Sequence, residues 1–204
     1  LDTQIDLFGL GLDGEWLDYA PNPRRGWRAE FEVLAGRKEI RPNEGLDSLE
    51  EERLELNQLR QEIRVDGQGF LPLGKRTVLM MRVQGYWLFQ DQIFDNDQRF
   101  IGGARSLRGF DENQFLSSGY VLGTAEFRLL LNANSYIGVF VDGGYQQYTR
   151  VEDITPNWPL GFGATFALQT PAGRLSVSYA LGRDQQTAVQ PLAGRVHIGL
   201  VSLF

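Results

Sequence analysis

Ser106, Asp142 and His197 are the residues from which a hydrolase would have to be assembled, since acyl transfer needs a nucleophile, a base and a group that orients the base. No G-x-S-x-G elbow surrounds Ser106, and the three stand at unrelated positions, which argues against that chemistry. His197 is the single histidine, lies in an alternating segment and has no Cys or second His nearby to share a metal. Gly102-Gly103 is not a phosphate loop, because no Lys-Ser/Thr pair follows and no strand–helix context surrounds it. The run Glu50-Glu51-Glu52 could offer oxygens to Ca²⁺, yet a charge run in a loop is ordinarily just solvated. With no cysteine there is no disulfide framework and no thiolate site. The expectation is therefore no enzyme, no metal and no cofactor. What remains is the chemistry of fixed charges, and its use depends on the elements that hold them.

Those elements repeat with a period of two. From Tyr120 to Leu131, the apolar residues Val121, Ala125, Phe127 and Leu129 share one parity, while Thr124, Glu126 and Arg128 share the other. Such alternation puts apolar side chains on one face of a strand and charges on the opposite face. Tyr136–Tyr145 repeats it, with Ile137, Val139 and Val141 against Gly138, Phe140 and Asp142. Thr77–Phe89 and Leu175–Leu181 behave alike, and only Leu46–Leu59, rich in Glu, suggests a short helix at a loop tip. Turn signals divide the chain into nine strands, at about 3–18, 26–39, 55–71, 76–90, 119–131, 135–148, 159–170, 173–184 and 193–204. Several are longer than the roughly five or six residues of an ordinary globular strand. They reach the roughly 9–11 residues that a tilted membrane crossing needs.

The connections sort by length. Residues 20–25, 72–75, 132–134 and 170–173 are short turns, whereas those around 40–54, 91–118, 149–158 and 185–192 are long and polar. Short turns at one rim and long loops at the other is the layout of an outer-membrane barrel, and a soluble sandwich has no reason to adopt it. Mean hydropathy of -0.27 does not oppose this, because only alternate residues face lipid. No stretch approaches the roughly 20 apolar residues of a membrane helix. A net charge of -6 argues against nucleic acid as a partner. Trp16, Trp27, Trp87 and Trp158 fall near strand ends, where interfacial aromatic girdles form. The whole of 1–204 is thus expected to be one all-β domain, an antiparallel transmembrane β-barrel.

The segment Gly102-Gly-Ala-Arg-Ser-Leu-Arg-Gly-Phe110 resembles the loop motif of the BamA/TamA surface-antigen superfamily. Gly123–Arg128, Val139–Gly144 and Thr170–Tyr179 resemble the strands that follow it in that family, and Asn22–Trp27 a turn further upstream. The resemblance covers most of the chain, in order. It implies that the long loop folds back into the barrel lumen, with Gly102, Gly103, Ser106, Leu107, Arg108, Gly109 and Phe110 as its motif, and that Arg108 meets Glu126 and Asp142 on the inner wall. The residues suit those roles. Glu126 and Asp142 share the polar parity of neighbouring strands, and a planar, permanently charged guanidinium can bridge two carboxylates. Glycines at 103 and 109 permit the tight backbone of a loop tip. His197, Gly199 and the terminal Phe204 are similar to the C-terminal signal of outer-membrane barrels, although Ser202 stands where a hydrophobic residue is usual.

The same resemblance implies a bacterial outer-membrane location and a non-enzymatic machine that inserts client β-barrels or moves polypeptides across the membrane. Its partners would be the bilayer, unfolded client proteins, and accessory lipoproteins or periplasmic POTRA domains. The last strand, with Gly194 and Gly199, would form one side of a weak seam. A passive channel and a barrel that exports an attached passenger are the rivals. Nine strands is an odd number, whereas single-chain bacterial barrels are even. A larger, even barrel resolves this, and the resemblance implies one of about sixteen strands, of which the chain supplies the last nine. The alternatives are that residues 1–20 form no full strand and the rest closes as eight, or that another chain completes the wall.

Overall fold

A computed structural model describes residues 2–41, 56–170, 173–185, 189 and 193–201. The strands are β1 (Asp2–Leu17), β2 (Gly26–Arg41), β3 (Asn57–Pro72), β4 (Thr77–Phe89), β5 (Arg99–Ile101) and β6 (Phe115–Ser117). They continue with β7 (Gly119–Leu130), β8 (Tyr136–Arg150), β9 (Asp153–Asn157), β10 (Leu160–Thr170), β11 (Gly173–Arg183) and β12 (Arg195–Val201). The main sheet runs in the order β1-β2-β3-β4-β7-β8-β10-β11-β12, antiparallel throughout, with β9 paired to an overhang of β8. Among the described residues nine strands therefore build the wall, as the alternation predicts. β5 and β6 form a separate ribbon inside the long connection from β4 to β7.

The register carries one parity around the sheet. Glu30 faces Asp66, Asp66 faces Gln84, Met80 faces Glu126, Thr124 faces Asp142, and Ser178 faces His197. Because side chains alternate between faces, these pairings place every such residue on the inner face. The opposite parity is apolar and open. Phe8 and Leu10 are 83% and 84% exposed, and Val139 and Ile198 are exposed too. An apolar band of this kind on a folded wall is what lipid would cover. Trp16 pairs with Trp27 beside the 18–25 turn, while Trp87 stacks on Tyr145 and Tyr145 meets Trp158 edge-on near the long-loop rim. The indoles thus mark both ends of the band.

Two expectations are corrected. β1 is a full strand paired with β2 from Asp2 to Leu17, so the eight-stranded reading that discounts residues 1–20 fails. The helix expected over Leu46–Leu59 fails at its end, where Asn57–Leu59 belong to β3, because their alternation continues the strand's ladder to β2. Residues 46–55, with Glu50–Glu52, lie outside the described residues, as do Phe204 and Pro171-Ala172 of one turn.

The interior packs in small islands. Phe70, Val78, Met80, Leu130, Tyr136 and Ala167 fill the lumen near the short turns. Ile101, Leu107, Phe110 and Leu122 form a second island where the long connection meets the wall.

Candidate functional site

The connection between β4 and β7 folds back onto the inner face of the wall, and local bonding shapes its motif. Gly102, Gly103 and Gly109 have φ of 121°, 87° and 94°, conformations that side chains resist. Gly103 and Leu107 exchange two backbone hydrogen bonds of 3.1 Å, closing a tight loop. The Ser106 hydroxyl accepts from the Gly102 N–H at 2.9 Å and donates to the Gly102 carbonyl at 3.2 Å. Leu107 and Phe110 are buried against Ile101 and Leu122, and Phe110 meets Phe115 edge-on. Apolar residues on both sides of position 108 thus anchor the backbone and leave one side chain to reach the wall.

That side chain is Arg108. Its Nε and NH2 donate to the two oxygens of Asp142 on β8, at 2.8 and 2.9 Å. Its NH1 donates to Glu126 on β7 at 2.6 Å and to the Thr165 hydroxyl on β10 at 3.2 Å. The Arg108 backbone N–H also reaches Asp142, at 3.1 Å, and the guanidinium lies 3.3 Å from the centroid of the Phe140 ring. Arg128 balances the second carboxylate, donating to Glu126 at 2.6 Å. The three residues singled out in the sequence therefore meet in one buried cluster. Taking one partner from such a cluster leaves uncompensated charge and costs about 3–5 kcal/mol.

The wall beneath the tip is built of small residues. Gly161, Gly163, Thr165 and Ala167 face inward on β10, and Ser176, Ser178, Ala180 and Gly182 on β11. A Cβ on Gly161 would fall 1.8 Å from the Arg108 carbonyl oxygen, and one on Gly182 would fall 2.4 Å from that of Gly109. The loop backbone lies directly on this bed. On β12, His197 accepts a hydrogen bond from the Gly109 N–H at 3.2 Å. Ser106 and His197 thus spend their bonds on the loop backbone, and they do not assemble with Asp142 as nucleophile and base. Gly199 pairs with Ser176 and its carbonyl accepts from that hydroxyl at 3.3 Å, away from the loop.

A second cluster holds the loop's root and was not anticipated. Asp97, in a 3₁₀ turn over Asp95–Asp97, accepts from Lys38 on β2 at 2.7 and 2.6 Å and from Arg60 on β3 at 2.9 Å. The signal was in β3, whose inner parity reads Gln58, Arg60, Glu62, Arg64, Asp66, Gln68 before its first apolar residue, Phe70. A buried row of charge must find partners, so a polar segment had to lie against it.

The deciding comparison is with protein families. A model of the Omp85 superfamily domain matches residues 7–200. The chain belongs to the Omp85 superfamily. No curated protein matches it. The antiparallel wall with an apolar outer face and a charged inner face fits the outer-membrane β-barrel of an Omp85 protein, and in the described residues the sheet is open, with β1 and β12 each paired to one neighbour. Omp85 proteins reside in the outer membranes of bacteria and organelles, and insert or translocate proteins there.

Proposed function

We propose that this Omp85 domain works in the bacterial outer membrane as a non-enzymatic machine. It inserts client β-barrels or passes polypeptides across the bilayer, and its partners are lipid and unfolded outer-membrane proteins. The observation that carries this is Arg108, held between Glu126 and Asp142 with the loop lying on the wall. A loop seated this way obstructs the lumen, which suits a passive pore poorly. It also ties β7, β8, β10 and β12 together through one segment. That bracing would keep the wall in shape while a seam at β12 opens. An unpaired strand edge offers N–H and C=O groups that template an incoming strand.

The test uses the full-length protein in liposomes. Folding of an unfolded client barrel is followed by protease protection, alongside ion conductance. Accelerated client folding that is lost in Arg108→Ala supports the reading. No acceleration together with large steady conductance would move the function to a channel. The seam has its own check, a disulfide between β12 and the strand that closes against it, and undiminished activity with that bond in place would eliminate the seam.

A further inference from the structure

The loop's two clusters have opposite polarity. At the tip the loop supplies the cation and the wall supplies the carboxylates. At the root the loop supplies the carboxylate of Asp97, and the wall supplies Lys38 and Arg60. Asp97 is bound at every lone pair it can offer. Besides Lys38 and Arg60, it accepts from the Gln90 amide at 3.2 Å and from the Phe94 N–H at 3.0 Å. Its own carbonyl takes a further bond from Arg60, at 3.1 Å. Lys38 is fully buried, with the Phe94 ring 5.1 Å from its ammonium.

The next residue turns the other way. The Gln98 side-chain amide donates to the Thr149 carbonyl at 2.7 Å and accepts from the Thr149 N–H at 3.1 Å. It therefore stands in for a strand neighbour along the overhang of β8. Two adjacent residues thus clamp the root between β2–β3 on one side and β8 on the other.

The buried charges of each cluster balance. The tip sets Arg108 and Arg128 against Glu126 and Asp142. The root sets Lys38 and Arg60 against Asp97 and Glu62, with the more exposed Arg64 and Arg99 outside them on Glu62. Breaking one cluster leaves no unpaired charge in the other, so the electrostatic cost of release is paid locally.

We propose that Asp97 and Gln98 form a second, independent clamp that keeps the loop's root fixed when the tip leaves its seat. The loop then swings about its root as a hinged plug rather than withdrawing as one body. Asp97 and Gln98 are positioning residues in this scheme. The inference concerns the loop alone and stands whether the barrel handles client barrels, secreted chains or ions.

Residues 1–204 contain no cysteine, so a single cysteine introduced there, with any cysteine elsewhere in the full-length protein replaced by serine, accepts a spin label at one place. Asn96 at the root and Ala104 at the tip are both exposed. In the full-length protein in liposomes, Arg108→Ala should convert the Ala104 label from an immobilised to a mobile spectrum and leave the Asn96 label unchanged. Asp97→Asn should do the reverse, and Asp97→Glu should restore the immobilised root signal. Gln98→Ala frees the β8 side without stranding a buried charge, and it should also mobilise Asn96 alone, which covers the case in which Asp97→Asn fails to fold. Mobilisation of both labels by Arg108→Ala would overturn the proposal. So would an unchanged Asn96 label in both root variants.

Discussion

The inner faces of β3 and of the β10–β11 pair do opposite things to the same loop. β3 presents long charged side chains, and Arg60 and Glu62 reach out to meet the loop's root through the charges they carry. β10 and β11 present glycine, alanine, serine and threonine, and the loop's tip lies on them backbone to backbone. One face recognises charge and tolerates modest changes of shape. The other recognises shape, and buried charge reaches the tip from β7 and β8 beside it. A loop fixed by two unlike mechanisms can be loosened at either end by a different kind of substitution.

The largest effect should come from adding volume to the shape-reading face. In Gly161→Val the new Cβ would overlap the Arg108 carbonyl oxygen, 1.8 Å away. The tip must lift, and Glu126 and Asp142 lose their shared cation. The expected destabilisation is about 3–5 kcal/mol, accompanied by faster trypsin cleavage after Arg105 in the folded protein. Cleavage at the unaltered rate would show that the bed does not seat the loop. A smaller effect is expected on β3 from Arg60→Lys, which keeps the charge but loses the planar fork that serves Asp97 and Glu62 together. The expected loss is about 1.5–3 kcal/mol in urea unfolding, with no change at Arg105. If this variant matched Gly161→Val in both readouts, the two faces would not be separate devices.

The difference between the faces also explains what could be read in advance. The nine wall strands were legible because a wall between lipid and lumen forces strict alternation, and positions such as Val139 and Asp142 cannot exchange faces without a register slip. Arg108, Glu126 and Asp142 were legible through the motif and through parity. The bed was not, since Gly161 or Ser178 carries no signal of its own, and its meaning lies in a backbone that passes above it. The root clamp was half legible. Arg60 and Glu62 announced a need for partners, but Asp97 sits in a loop with no period, where spacing says nothing about reach.

The comparison is sharpened by a third ion pair with the tip's geometry and none of its burial. Arg195 at the start of β12 donates to both oxygens of Asp111 in the loop, at 2.6 and 3.0 Å, much as Arg108 does to Asp142. Asp111 is exposed, so water and salt compete for the pair. If burial rather than fork geometry fixes the tip, Asp111→Asn should cost less than about 1 kcal/mol, far below the loss of Arg108. The hydrogen bond from Arg195 holds the Asp111 carboxyl below the ordinary carboxylate value. A depressed folded-state value means that the contribution is complete above the unfolded value of about 3.9. It is lost only as pH falls through the folded value. Unfolding measured from pH 7 down to 5 should therefore show the same small difference between wild type and Asp111→Asn throughout, and the two should converge only in stronger acid. A loss from Asp111→Asn as large as that from Arg108→Ala would show that bidentate geometry, not burial, holds the loop.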